Sequence, residues 1–196
     1  MKYFIDTEFK EKPNTIDLIS IGIVCEDGRE YYALNKYFNL KEVWKDEWLR
    51  ENVLLPIYIE HVHGDMRNHV PFSRSAIKGI LKGFGKSMNE IASEIKDFCY
   101  YSYSEAQIEN ADIQFYGYYA DYDWVVFCWI FGRMIDLPKG FPMYCKDLKQ
   151  IMDDKGLGKD WKRKNCPDPE GEHNALVDAK WNLRLFNQMA LKKPSA

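Results

Sequence analysis

No stretch of the 196 residues approaches the roughly 18–20 uninterrupted apolar residues of a membrane-spanning helix. The opening Met1-Lys2-Tyr3-Phe4-Ile5-Asp6 puts an acid where a secretory signal would carry its apolar run, so the chain is expected to stay in the cytoplasm. A disulfide framework is missing too. The five cysteines (25, 99, 128, 145 and 166) form no CxxC pair and are odd in number, which points to reduced thiols, mostly in the core. Positive charge is not in excess. A net charge of −3 argues against a protein that coats long DNA by counterion release. It does not argue against a nuclease, because an acidic pocket carrying divalent metal attracts phosphate through the metal's own charge. Internal repeats and low-complexity tracts are also absent.

What is present is globular: 46% hydrophobic, 15% aromatic and 29% charged residues. One domain over 1–196 is expected, with a less regular, insertion-like region at about 41–86. Residues 3–9 read as a strand, and 16–25 follow with Ile19, Ile21 and Ile23 alternating against Ser20 and Gly22. Asp27-Gly28 signals a hairpin into Glu30–Asn35, giving a three-stranded antiparallel meander. Residues 41–51 suit a short helix, whereas 56–86, with Pro56, Pro71 and several glycines, read as irregular structure with one short helix. Ser87 and Glu90 form a capping box for a helix lined by Met88, Ile91, Ile95 and Phe98. A strand at 113–119, a buried helix at 121–134 and a helix near 146–155 closed by Gly156 come next. Residues 157–172 have the composition of a mobile loop. The final helix, 174–191, carries Leu176, Ala179, Leu183, Phe186 and Ala190 on one stripe. Antiparallel strands followed by alternating helix and strand predict an α/β mixed sheet flanked by helices.

The chemistry starts at Asp6-Thr7-Glu8. Alternation along a strand points Asp6 and Glu8 to one face, about 7 Å apart, where two carboxylates suit a hard divalent cation. The spacing alone says little, since Asp168-Pro169-Glu170 repeats it in a loop. The apolar strand around the first copy is what lifts it, because acids there are costly unless compensated. Asp123 shares a helical face with Phe127 and Ile130; of the neighbouring acids, Asp121 fits an N-terminal capping role better, which leaves Asp123 to reach inward. Asp178 lies about 110° from the centre of the final helix's apolar stripe, at the edge of a cleft. His173, five residues earlier, belongs to the preceding loop and swings over the same cleft.

This order of motifs resembles the DEDDh exonucleases, the superfamily of RNase T, oligoribonuclease and polymerase proofreading subunits. The opening Met1–Phe9, the run Ile19–Ala33 and His173-Asn174-Ala175-Leu176-Val177-Asp178-Ala179 are most similar to the compact RNase AS-like branch, the polyadenylate-directed mycobacterial type of 3′→5′ exoribonuclease. The resemblance implies an RNase H-like fold with a mixed five-stranded sheet. It also implies that Asp6, Glu8 and Asp178 hold one Mg²⁺ or Mn²⁺, with Asp6 and Asp123 helping to place a second. Two such ions about 3.5–4 Å apart serve an in-line displacement. His173 would take the proton of the attacking water, as an imidazole titrating near neutrality can. Nucleoside 5′-monophosphates would leave the 3′ end of single-stranded RNA. Thr7, Phe9 and Tyr122 would contact the terminal nucleotide, with ordinary core packing the alternative for each.

Other signals are weaker. Gly85-Lys86-Ser87 lacks the upstream glycine of a phosphate loop, since position 80 is Ile80. His61, His63 and His69 have no cysteine or acid set to complete a zinc site, and read as solvated loop residues. Lys159, Lys162, Arg163 and Lys164 around Trp161 read first as solvated surface, with a hold on the substrate backbone as the alternative. The aromatics at 98–103 and 115–131 exceed what one core obviously needs, which suggests a homodimer. The competing functions are a DNA-directed exonuclease of the same fold, a non-catalytic nucleic-acid-binding module, and a metal-dependent phosphodiesterase on small nucleotides.

Overall fold

The computed structural model describes residues 1–62 and 70–191. Five strands form one sheet in the order β3-β2-β1-β4-β5: β1 Lys2–Lys12, β2 Thr15–Cys25, β3 Glu30–Leu34, β4 Gln114–Gly117 and β5 Lys146–Asp147. β1, β2 and β3 are antiparallel, turning at Gly28 with φ +92°, while β4 and β5 run parallel to β1. This is the mixed sheet of an RNase H-like exonuclease fold. β1 runs longer than the sequence indicated, to Lys12, because the hairpin to β2 carries the pairing out to Lys12↔Thr15.

Helices cover both faces. On one lie α5 Met88–Tyr100, followed in the chain by the single turn α6 Glu105–Ile108, and α7 Asp121–Phe131; α5 and α7 cover Tyr3, Ile5, Ile21, Ile23 and Phe115. On the other lie α8 Leu148–Asp154, α9 Lys159–Asn165 and α10 Ala175–Leu191, over Phe4 and Tyr116. Of the aromatics at 98–103 and 115–131, Phe115, Trp124, Phe127 and Phe131 contact one another and Phe141 within the first cluster, whereas Tyr101, Tyr119, Tyr122 and Trp129 are exposed. The five cysteines are free, four of them buried. No helix among the described residues is long and apolar enough to cross a membrane.

Several segments are more regular than their composition indicated. The region after β3 forms α1 Leu40–Lys45, the single turn α2 Glu47–Leu49, a π-helical turn Arg50–Leu54, α3 Leu55–His61 and α4 Arg74–Phe84. Pro56 is tolerated because it sits in the first turn of α3, where its missing N–H costs nothing. These helices share an apolar cluster with Ile19 and Leu34 of the sheet. His61 therefore lies on a helix, its ring Nδ1 at 2.8 Å from the Ile57 carbonyl; His63 and His69 fall outside the described residues. Residues 159–165 are helical, not a mobile loop, and α9 is fastened by Lys162, which pairs with Asp168 at 2.5 Å and lies over the Tyr118 and Trp181 rings. α7 stops at Phe131, short of the expected 134, because Gly132 takes φ +116°.

α10 presents a different stripe from the one expected. Its buried residues are Ala175, Ala179, Trp181, Asn182, Leu185 and Met189, whereas Ala190 is exposed. A Cβ on Gly22 would stand 2.2 Å from the Ala175 carbonyl oxygen, so the missing side chain lets the first turn of α10 lie directly on β2. Gly22→Ala is expected to push that turn away, with a loss of stability of about 1–3 kcal/mol or more. Chemical denaturation measures it, and an unchanged midpoint would mean that α10 does not depend on this contact.

Candidate active site

β4 pairs with β1 only over Lys2–Phe4, so the peptide groups beyond have no strand partner on that side. Two side chains fill the gap. Asp123 Oδ1 accepts from the Thr7 N–H at 2.8 Å and from the Thr7 hydroxyl at 2.5 Å. Asn182 Nδ2 donates to the Ile5 carbonyl at 2.9 Å. The open edge of β1 thereby fixes one residue from α7 and one from α10 beside the Asp6-Thr7-Glu8 run. A β-bulge between Glu8 and Phe9 shifts the register of the ladder immediately afterwards.

Asp6 and Glu8 share the face of β1 that α10 covers, and Gly22 lies opposite Asp6 in the ladder. On the observed face of α10, Asp178 stands only about 30° from the centre, not at the edge. It is brought over the sheet by the close contact at Gly22. The Asp178 carboxylate accepts the His173 backbone N–H at 2.8 Å, and His173 holds φ +68°, an unusual conformation for a residue with a side chain. Asn174 caps the helix through the N–H groups of Leu176 and Val177. Glu8, His173 and Asp178 present ligand atoms within 4.8 Å of one another, a set that could hold a metal ion. Asp6, His173, Asp178 and Asn182 line a common cleft of about 190 Å³.

The electrostatics mark the cluster as costly. Burial and the surrounding carboxylates Asp123, Glu8 and Asp178 push Asp6 well above the ordinary carboxylate range. Burial, then Asp178 and Asp123, raises Glu8 to about 8. Asp123 is raised to about 6 by burial against the opposing pull of the Thr7 hydrogen bonds, and Asp178 to about 6 by burial against the bond from His173. Among the described residues no lysine or arginine forms an ion pair with any of the four. Among the described residues Asn182 Oδ1 is buried without a hydrogen-bond partner, and the buried hydroxyls of Ser20 and Tyr32, residues that pair with Glu8 and Gly22 in the ladder, find at most each other. A polar atom left unpaired and acids driven toward protonation fit a place that takes up a hard cation and its water.

The structure thus brings together Asp6, Glu8, Asp123, Asp178 and His173. Asp121 is exposed and caps nothing, while Asp123 reaches inward. Thr7, expected against a nucleotide, is buried and spends its hydroxyl on Asp123. Phe9 and Tyr122 meet edge-on at 6.1 Å, with Tyr122 half exposed. Two neighbours escaped the sequence reading. Asn182 follows Asp178 by four residues, so helical spacing could have found it. Trp48, whose ring packs against that of His173 at 4.6 Å, carried no local signal.

The family description "3′-5′ exoribonuclease Rv2179c-like domain" matches residues 1–190. Two Mycobacterium tuberculosis proteins, 3′-5′ exoribonuclease MT2234.1 of strain CDC 1551 and 3′-5′ exoribonuclease Rv2179c of strain H37Rv, are similar to this chain. Each is 33% identical over 187 residues, spanning 95% of this chain and 91% of the relative.

Proposed function

The chain belongs to the Rv2179c-like 3′-5′ exoribonuclease family, and on that premise we propose that it shortens single-stranded RNA from the 3′ end by metal-assisted hydrolysis at the Asp6, Glu8, Asp123 and Asp178 cluster. The observation that carries the proposal is the convergence of four carboxylates from three separate elements beside an imidazole, with no ion pair to a lysine or arginine among the described residues. Asp6, Glu8 and Asp178 would hold one Mg²⁺ or Mn²⁺, and Asp6 with Asp123 a second. Such ions, when bound, stabilise the attacking and leaving oxygens of an in-line displacement.

The remaining work falls to the chain's own side chains. His173 takes the proton from the attacking water, standing against Glu8 and Asp178 on a backbone pinned by its own N–H. Thr7 keeps the Asp123 carboxylate turned toward β1. Phe9 and Tyr122 offer aromatic surface to the terminal base, where stacking is worth about 1–3 kcal/mol. A second cleft of about 540 Å³ shares Tyr118, Lys162 and Asp168 with the first and runs on past Lys149, Lys159 and Arg163. Three of its four cations are paired with its own acids, Lys149 with Asp153, Lys162 with Asp168 and Arg163 with Asp160, so among the described residues it offers chiefly Lys159 to the phosphates of the nucleotides upstream. The whole chain acts as one exonuclease domain, in the cytoplasm.

The test is a 5′-labelled RNA oligomer beside its DNA twin, with Mg²⁺ or Mn²⁺ and with EDTA. A descending ladder on RNA, absent in EDTA and at least about tenfold slower on DNA, is the expected result; the 2′-hydroxyl is the group that separates the two. Equal rates would favour the DNA-directed reading, and no ladder with either metal a binding module.

A further inference from the structure

We propose that Trp48 is a positioning residue for His173, so that the helical segment after β3 sets the catalytic imidazole; the inference rests on the exoribonuclease reading above. A histidine acting as a base ordinarily has its ring oriented by a third group. Here the backbone of His173 is fixed by Asp178, yet among the described residues nothing hydrogen-bonds the imidazole. What stands against the ring is the Glu8 and Asp178 carboxylates, with ligand atoms within 4.8 Å, and the indole of Trp48, edge-on at 4.6 Å and 69°.

Trp48 is itself held from the active-site strand. Asp46 caps α2 by accepting the Leu49 N–H at 3.2 Å, and the same carboxylate pairs with Lys10, two residues beyond Glu8 on β1. Asn52 donates to the Trp48 carbonyl at 2.9 Å, and Leu49 anchors the turn in the apolar cluster. A second bridge joins the same segment to the histidine loop: Asn174 Nδ2 donates to Glu60 on α3 at 3.4 Å. The strand that carries two of the carboxylates thus also sets, through Lys10, Asp46 and Trp48, where the imidazole stands. A half-exposed tryptophan spends little of its surface on core packing, so removing it disturbs the ring more than the fold.

Steady-state kinetics on labelled RNA at saturating Mn²⁺ test this with Trp48→Ala and Trp48→Phe, alongside Mn²⁺ affinity and the thermal midpoint. The expected result for Trp48→Ala is a kcat lower by about 10–100-fold, the usual cost of losing an orienting neighbour. KM and Mn²⁺ affinity stay within about threefold of wild type, and Trp48→Phe returns kcat to within about threefold. A raised KM at unchanged kcat would overturn the proposal in favour of a base-stacking role, and wild-type values of both would overturn it outright. Wild-type protein that degrades no RNA would remove the exoribonuclease reading together with this one, whereas a fully active Trp48→Ala protein would remove this one alone.

Discussion

Asp6→Asn is expected to slow RNA degradation by more than about 100-fold, beyond the roughly 10–100-fold that changes one layer further out produce. In EDTA the same substitution is expected to raise the thermal midpoint. Both effects follow from one feature. Asp6 is held among Asp123, Glu8 and Asp178 with burial and like charge against it, so its ionised form costs stability that only a cation recovers. Asparagine keeps the shape and removes the charge. For a chain of this length each kcal/mol recovered raises the midpoint by roughly 2–4 °C. The pair of measurements is kcat with Mg²⁺ and differential scanning calorimetry in EDTA. An active variant, or one less stable than wild type in EDTA, would show that Asp6 is an ordinary structural acid.

The second large effect is on stability against pH. In the unfolded chain the carboxylates titrate near 4, whereas folding raises Glu8 to about 8 and Asp123 and Asp178 to about 6. Between those limits the folded protein binds more protons than the unfolded one, so stability falls as pH rises from about 4 to about 8. The contribution is complete below pH 4 and gone above pH 8. Each carboxyl loses about 1.4 kcal/mol of stability for every pH unit by which folding raises it. A divalent ion replaces the protons, so Mg²⁺ or Mn²⁺ is expected to flatten the slope, stabilising most at high pH and by about 2.7 kcal/mol at 100 times its dissociation constant. Denaturant midpoints at pH 5.5 and pH 8, with EDTA and with Mn²⁺, read this directly. Glu8→Gln separates the cluster from the rest of the surface, because it should shrink the metal-free slope. A Glu8→Gln slope equal to wild type would place the pH dependence elsewhere.

Much of the site was legible because its parts are local. Asp6 and Glu8 share a face through strand alternation, Asp27-Gly28 turns the hairpin, and Ser87 with Glu90 caps α5, each decided within a few residues. What escaped is decided by contact across the fold. The phase of α10 was misjudged because hydrophobicity favours Leu176, Leu183 and Phe186, while packing favours Ala175 over the bare backbone of Gly22. Asn182 is buried because the open edge of β1 needs a donor, for which the sequence offers only its helical spacing of four from Asp178. Residues 159–165 look like a loop until Lys162 meets Asp168 and two aromatic rings. Trp48 meets His173 from a segment whose Asp46 pairs with Lys10 on β1, two contacts that join residues far apart in the chain.

The most direct measurement is the polarity of attack on one RNA oligomer, labelled at its 5′ end in one tube and at its 3′ end in another, with Mg²⁺. A 3′→5′ exoribonuclease releases the 3′ label as a nucleoside 5′-monophosphate at the earliest time and shortens the 5′-labelled strand stepwise, with neither event in EDTA. Internal fragments appearing first from both labels, or release that continues in EDTA, would contradict a metal-dependent hydrolase built on Asp6, Glu8, Asp123 and Asp178.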